Sequence, residues 1–208
     1  MPLDLAELVD PAHTALVTQE VQRGVCGDLS GLPDLARAAQ RVLPNMAALV
    51  EAARAAGMPV IHCVFERRED GQGANANARI FKYMARVKHP LHPGSPAVEL
   101  CPEVAAVESD IVLKRLHGLS PFQGTELDFV LRNLGVNTIV GIGVSVNVAM
   151  QNLAFDAVNS GYQIVLPRDA VAGFPDAYVD MVFQHTLNIL ATLPSTADLL
   201  NAWKTAGS

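Results

Sequence analysis

Short apolar runs rich in β-branched residues alternate with longer stretches of helical periodicity along almost the whole chain. Within each short run the apolar residues are nearly continuous, which is typical of strands buried on both faces of a parallel sheet. We therefore predict an α/β protein with three αβα layers around a mostly parallel, Rossmann-like central sheet. The predicted strands cover 13–19, 58–65, 110–114, 137–143 and 162–167. The predicted helices cover 33–57 (kinked or divided at Pro44), 124–135, 146–161, 176–192 and 195–203.

Composition limits the classes of partner. The 208 residues show no repeat, linker or change in composition, so we expect a single domain over 1–208. A net charge of −6 without a basic cluster argues against a nucleic-acid partner, and no apolar run reaches the roughly 18 residues of a membrane span. We expect no secretory signal, because the first residues carry acids before any base and no apolar run, and the three cysteines are widely spaced. We therefore expect a reduced, cytoplasmic protein that acts on a small molecule.

Polar residues follow three of the predicted strands at their carboxyl ends. The first strand ends in Gln19 and Glu20, the third ends in Lys114, and the fourth opens into the segment 143–149 before a helix. In parallel sheets ligands bind outside the carboxyl ends of the strands. The sequence therefore predicts a small-molecule site built from an acid, an amine and a helix N-terminus.

Three blocks of the chain resemble the isochorismatase-like, or cysteine hydrolase, superfamily, which includes nicotinamidases and N-carbamoyl amidases. These blocks are ALVTQEVQ (15–22), KRLHGLSPFQGTELDFVLRNLGVNTIVGIGV (114–144) and DAVNSGYQIVLPRDAVAG (156–173). The resemblance implies the isochorismatase-like hydrolase fold and a cis peptide between Val144 and Ser145. It also implies a homo-oligomer, a dimer or tetramer, and no organic cofactor.

The resemblance implies a catalytic set of an acid, a lysine and a cysteine nucleophile, which correspond here to Glu20, Lys114 and Ala149. Alanine carries no nucleophile, so thioester chemistry is impossible at this position. The acid is also one methylene group longer than the aspartate of the family. Cys26, in the loop after the first strand, is an alternative thiol near Glu20, although a reactive cysteine needs a positioned base and a cationic or helix-end environment.

Further polar residues near the predicted strand ends are candidates for substrate recognition. His117 either points into the pocket or caps the next helix, and Ser145 also suits a turn or N-cap. The irregular segment 66–109 is a further region for recognition, with 75–79 as part of a lid. No metal is expected, because the stretch after the second strand lacks the histidines of the nicotinamidase branch, and His62, His89 and His92 fit structural or solvated roles better. The substrate-binding candidates are Gln22, Arg79, His117, Val144, Ser145 and Asn147.

Three functional hypotheses follow. In the first, Glu20 is a general acid that protonates a vinyl ether, with Lys114 positioning the substrate or stabilising charge. In the second, Glu20 is a base that activates water against an amide, ureide or ester, with helix N–H groups binding the oxyanion. In the third, the chain is a catalytically inactive binding or assembly protein. We favour a hydrolase without a cysteine nucleophile, because a pure binding protein has little reason to keep an acid and an amine at the rim.

Overall fold

A computed structural model describes residues 4–206 and shows a parallel sheet. Its order is β3-β2-β1-β4-β5, and β6 pairs with β4 beyond the end of β5. The predicted αβα architecture is confirmed. The strands are β1 (Thr14–Gln19), β2 (Val60–Phe65), β3 (Ile111–Arg115), β4 (Thr138–Val144), β5 (Gln163–Val165) and β6 (Val171–Ala172).

Helices cover both faces of this sheet, and short 3₁₀ turns link several elements. The longest predicted helix, 33–57, is two helices with Pro44 in the first turn of the second, because proline fits a first turn but not a helix interior. The helices are α1 (Leu5–Leu8), α2 (Pro33–Gln40), α3 (Leu43–Ala55), α4 (Arg79–Met84), α5 (Leu127–Asn133), α6 (Ala149–Asn159), α7 (Asp176–His185) and α8 (Thr196–Ala206). None of these helices is long and apolar enough to cross a membrane.

Two apolar cores lie on opposite faces of the sheet. Leu16 of β1 packs into the core formed with α2, α3 and α8, whereas Val17 packs into the core formed with α5, α6 and α7. Successive side chains of a strand point to opposite faces, so every residue of β1 is buried. The core thus fixes β1 at the centre and brings the carboxyl ends of β1, β3 and β4 to one rim.

Candidate active site

A cavity of about 60 Å³ lies at the carboxyl ends of these strands. Its polar side chains are Glu20, Arg115 and Ser145, and it reaches Ala149 at the start of α6. The rest of the wall is mainly apolar. Its other residues are Val25, Leu32, Leu35, Phe65, Ile80, Phe81, Met84, Gly118, Leu119 and Val148.

Glu20 is the first residue after β1 and is held from two sides. Its N–H donates to the carbonyl oxygen of Cys63 at 2.9 Å, and Nε2 of Gln19 donates to its Oε1 at 3.3 Å. Its φ of 53° lies in the left-handed region, which is unfavourable for a residue with a Cβ. The chain therefore turns sharply after β1 and places the carboxyl group in the cavity.

Arg115, and not Lys114, is the cation that pairs with Glu20. An Nη2 hydrogen of Arg115 is donated to Oε1 of Glu20, and the Arg115 side chain is only 4% exposed. Lys114 is 60% exposed and pairs instead with Glu66, at 2.9 Å between Nζ and Oε1. The structure does not bring Lys114, the expected charge stabiliser, to Glu20, because adjacent residues of a strand face opposite sides and only one of them can meet Glu20.

The salt bridge leaves much of the Arg115 guanidinium unused. Its Nε and Nη1 are buried and have no hydrogen-bond acceptor among residues 4–206. The Phe65 ring covers one face of the group, with its centroid 5.3 Å from Cζ. A buried donor without a partner carries a desolvation cost, so the site holds hydrogen-bonding capacity that the folded chain does not use.

The turn from β4 into α6 brings a helix N-terminus to the cavity. The Val144–Ser145 peptide is cis, as the resemblance implies. The N–H groups of Val148 and Met150 both donate to the Ser145 carbonyl, at 3.1 and 3.0 Å, and α6 begins between them at Ala149. Helix N-termini carry N–H groups without intrahelical partners and favour negative charge. The Ala149 side chain itself offers only a methyl group.

Gly143 makes this turn possible. A Cβ at this position would lie 2.3 Å from the carbonyl oxygen of Gln19, and its φ is 125°. The backbones of β1 and β4 therefore approach each other at the rim in a way that only glycine permits.

Two predicted substrate-binding amides are engaged by the protein itself. The Gln22 side chain donates to the carbonyls of Phe65 and Val98 at 3.0 Å each and accepts from the Phe65 N–H at 2.8 Å. Asn147 donates to the Phe174 carbonyl and accepts from the Phe174 N–H at 3.0 Å. Neither residue lines the cavity, so their amides position loops around it.

The remaining candidates are spread around the rim. Ser145 lines the cavity, whereas the buried Val144 does not. Arg79 is exposed at the start of α4 and lies outside the lining. His117 lines a smaller neighbouring space with Phe65 and Phe81, so the structure does not bring Arg79 and His117 to Glu20.

The geometry argues against Cys26 as a substitute nucleophile. Its Sγ lies 3.8 Å from the Glu20 carbonyl oxygen and 3.9 Å from Sγ of Cys101. The hydrogen bond with Cys101, together with burial, raises the pKa of Cys26 well above its usual value. A thiol with a raised pKa carries little thiolate at neutral pH.

Two features of the site are not predicted from the sequence. They are Arg115 and the apolar side of the cavity that α4 forms. Ile80, Phe81 and Met84 reach the cavity from a six-residue helix in the segment 66–109. That helix has no fully buried residue, so its apolar pattern is too short and too weak to predict. The one signal for α4 in the sequence is the general expectation that the segment 66–109 contributes to substrate recognition.

The chain is similar in sequence to a known protein family and to individual members of it. The family model described as the isochorismatase domain matches residues 14–198. An uncharacterized isochorismatase family protein, YecD of Escherichia coli O157:H7, is 29% identical over 91% of this chain and 95% of its own. The ureidoacrylate amidohydrolase RutB of Pantoea ananatis is 29% identical over 77% and 69%.

A solved structure agrees with the fold. The cysteine hydrolase from Pseudomonas syringae pv. phaseolicola superposes with a TM-score of 0.84, covering 99% of this chain and 100% of that one, at 24% sequence identity. At this identity the likeness shows the mostly parallel sheet and its flanking helices.

Proposed function

This chain belongs to the isochorismatase family, and we propose that it is a hydrolase of small molecules that works without a cysteine nucleophile. The observation that supports this function is the meeting of Glu20 with the N-terminus of α6 in one cavity, where Ala149 supplies no thiol. A base for water and donors for an oxyanion are the two groups that direct hydrolysis needs.

In the proposed mechanism Glu20 takes a proton from a water molecule, whose oxygen attacks the acyl carbon of the substrate. The N–H of Ala149, the first residue of α6, stabilises the oxyanion, because the N–H groups of Val148 and Met150 already donate to the Ser145 carbonyl. The proton passes from Glu20 to the leaving nitrogen or oxygen. Arg115 is a positioning residue that holds the carboxylate through its salt bridge. Lys114, 60% exposed and paired with Glu66, has no part in this mechanism.

The salt bridge favours the base role of Glu20 over the acid role. An ion pair with Arg115 requires Glu20 as a carboxylate, which accepts a proton. Protonation of a vinyl ether would require a neutral carboxyl group beside a buried guanidinium. We therefore place hydrolysis of an amide, ureide or ester first, and the name of the RutB relative, an amidohydrolase, is consistent with C–N bond cleavage.

A binding protein without activity is the second candidate, and one observation favours it. Oε1 of Glu20 already accepts hydrogen bonds from Arg115 and Gln19, so part of the carboxylate is occupied in the ligand-free cavity. A site that retains its charges only to bind a ligand would have the same arrangement.

The test is a mass-spectrometric turnover screen of the pure, metal-free protein against N-carbamoyl amino acids, ureides, simple amides, aryl esters, nicotinamide and isochorismate. Glu20→Gln removes the base and should lower turnover at least about 100-fold. Glu66→Gln is the matched control, because it makes the same change in a carboxylate outside the cavity lining. Equal turnover by Glu20→Gln and wild type would reject the mechanism, and absence of turnover would favour the binding protein.

A further inference from the structure

The charges that line the cavity balance each other. Glu20 and Arg115 form a salt bridge, and their side chains are only 16% and 4% exposed. Among residues 4–206, no other charged side chain lines the cavity. The site therefore holds one negative and one positive charge, both already paired and largely shielded from water.

A charged ligand would find no counterion in this cavity. An anion beside Arg115 would also lie beside Glu20, and a cation beside Glu20 would also lie beside Arg115. A charge taken from water into a buried site without a partner carries a large desolvation cost. Nη1 of Arg115 has no acceptor among the described residues, and the carbonyl oxygen of a neutral ligand can accept from it without adding a second negative charge beside Glu20.

The N-terminus of α6 also suits a ligand that is neutral before the reaction. α6 begins at the cavity with Ala149. A helix start carries only about half an elementary positive charge, so it does not balance a full anion. It does stabilise negative charge that develops on the carbonyl oxygen, and an interaction that is stronger in the transition state than with the substrate accelerates the reaction.

The walls and the size of the cavity select a small aliphatic group. A volume of about 60 Å³ corresponds to roughly four to six water-sized positions. Most of the wall consists of branched or flexible aliphatic side chains, among them Val25, Leu32, Leu35, Ile80, Met84 and Leu119.

A polar space adjoins the cavity but does not accommodate a charged end of the ligand. Arg67 and His117 line this space, and Phe65, Phe81 and Met84 line both spaces. Its volume of about 10 Å³ corresponds to roughly one water-sized position. A carboxylate is larger than that, so the positive charge of Arg67 does not extend the cavity toward anionic ligands.

We propose that the group held in this cavity is uncharged and aliphatic, and that it is the acyl group of a small neutral amide or ester. The acyl role rests on the proposed function, whereas the absence of charge follows from the cavity alone.

The test is an NMR titration of the full chain with methyl isopropyl ketone and with pyruvate, in which a carboxylate replaces the isopropyl group of similar size. Neither compound contains an amide or ester bond, so binding is measured without turnover. Wild type should bind the neutral ketone at least about tenfold more tightly than pyruvate. Glu20→Gln leaves the guanidinium unbalanced and should shift this ratio at least about tenfold toward pyruvate. Glu66→Gln, which changes a carboxylate outside the cavity lining, should keep the wild-type ratio.

Pyruvate that binds wild type as tightly as the ketone, or absence of ketone binding, would overturn the assignment whether or not Glu20→Gln folds. A ratio that is unchanged in folded Glu20→Gln would also overturn it. The two proposals fail separately. Preference for the ketone without turnover of any amide or ester supports the ligand class and rejects the hydrolase, whereas turnover of anionic substrates alone, such as N-carbamoyl amino acids, does the reverse.

Discussion

Lys114 and Arg115 are neighbours in sequence but lie in different environments. Lys114 is 60% exposed and meets Glu66, whereas Arg115 is 4% exposed and meets Glu20 in the cavity. Removing one member of a buried pair leaves an uncompensated charge, whereas in the second pair only Glu66 is buried and the Lys114 amine is in contact with water. The two residues should therefore respond very differently to the same substitution.

Arg115→Met should lower the free energy of unfolding by about 3–5 kcal/mol, because it leaves Glu20 without its cation. Lys114→Met should lower it by less, about 1–2 kcal/mol, because the exposed Lys114 amine pairs with a carboxylate that is only 6% exposed. Urea unfolding of the two variants measures both values. A larger loss for Lys114→Met would contradict the assignment of Arg115 as the partner of Glu20.

Ala149→Cys tests the alignment of the nucleophile position with the start of α6. A thiol there should have a pKa below its usual value, because a helix N-terminus and a nearby cation both stabilise the thiolate. Alkylation by iodoacetamide at neutral pH should therefore be faster than that of free cysteine.

Wild type supplies the background for this measurement. Its three cysteines are buried, and burial raises the pKa of Cys63 to about 12. A rate for Ala149→Cys no faster than that of free cysteine would show that the position does not lie at an activating helix end.

The sequence predicts the positions of the strands well, but it does not predict which side chains at their carboxyl ends face the cavity. Continuous apolar runs identify the strands, but Ile111, Val112 and Leu113 are all apolar and give no alternation from which to assign the faces of β3. Whether Lys114 or Arg115 faces the cavity therefore could not be predicted. The predicted helix 176–192 ends early, with α7 stopping at His185 and a 3₁₀ turn following.

A buried polar network links β1, β2 and α3. His62 bonds through Nδ1 to Thr18 Oγ1 at 2.8 Å and through Nε2 to Asp110 Oδ2 at 3.2 Å, and Arg54 pairs with the same carboxylate. Burial is the main cause that lowers the pKa of His62 below its usual 6.5. The folded protein therefore holds this ring neutral.

This network makes stability depend on pH in a defined direction. The pKa of His62 is lower in the folded than in the unfolded chain, so the unfolded chain binds a proton first as the pH falls. The free energy of unfolding is therefore highest above about pH 6.5 and decreases below it. Urea unfolding between pH 7.5 and 5.5 should show a slope of up to about 1.4 kcal/mol per pH unit. His62→Gln should reduce this slope, whereas His185→Gln, a change at an exposed histidine, should leave it unchanged. An equal slope in both variants would exclude His62 as the source of the pH dependence.

Apolar side chains remain exposed on elements that flank the sheet. Phe129 of α5 is 70% exposed, Ile189 after α7 is 79% exposed, and β3 is an edge strand. Exposed apolar side chains mark a protein interface where they form one contiguous patch. We propose a homo-oligomer, a dimer or tetramer. Light scattering coupled to gel filtration should give a multiple of the single-chain mass, and a monomeric mass across micromolar concentrations would refute the oligomer.

Hydrolysis by Glu20 without a cysteine nucleophile is tested by comparing turnover in three variants. With a substrate from the screen, Glu20→Gln is measured beside Cys26→Ala and Cys63→Ala. Cys26 lies in the loop after β1 with its Sγ 3.8 Å from the Glu20 carbonyl oxygen, and Cys63 of β2 accepts the Glu20 N–H at its own carbonyl. Both cysteine variants should keep kcat/KM within a few-fold of wild type, while Glu20→Gln should lose it. Loss of turnover in a folded cysteine variant, with Glu20→Gln still active, would show that a thiol and not Glu20 carries the reaction.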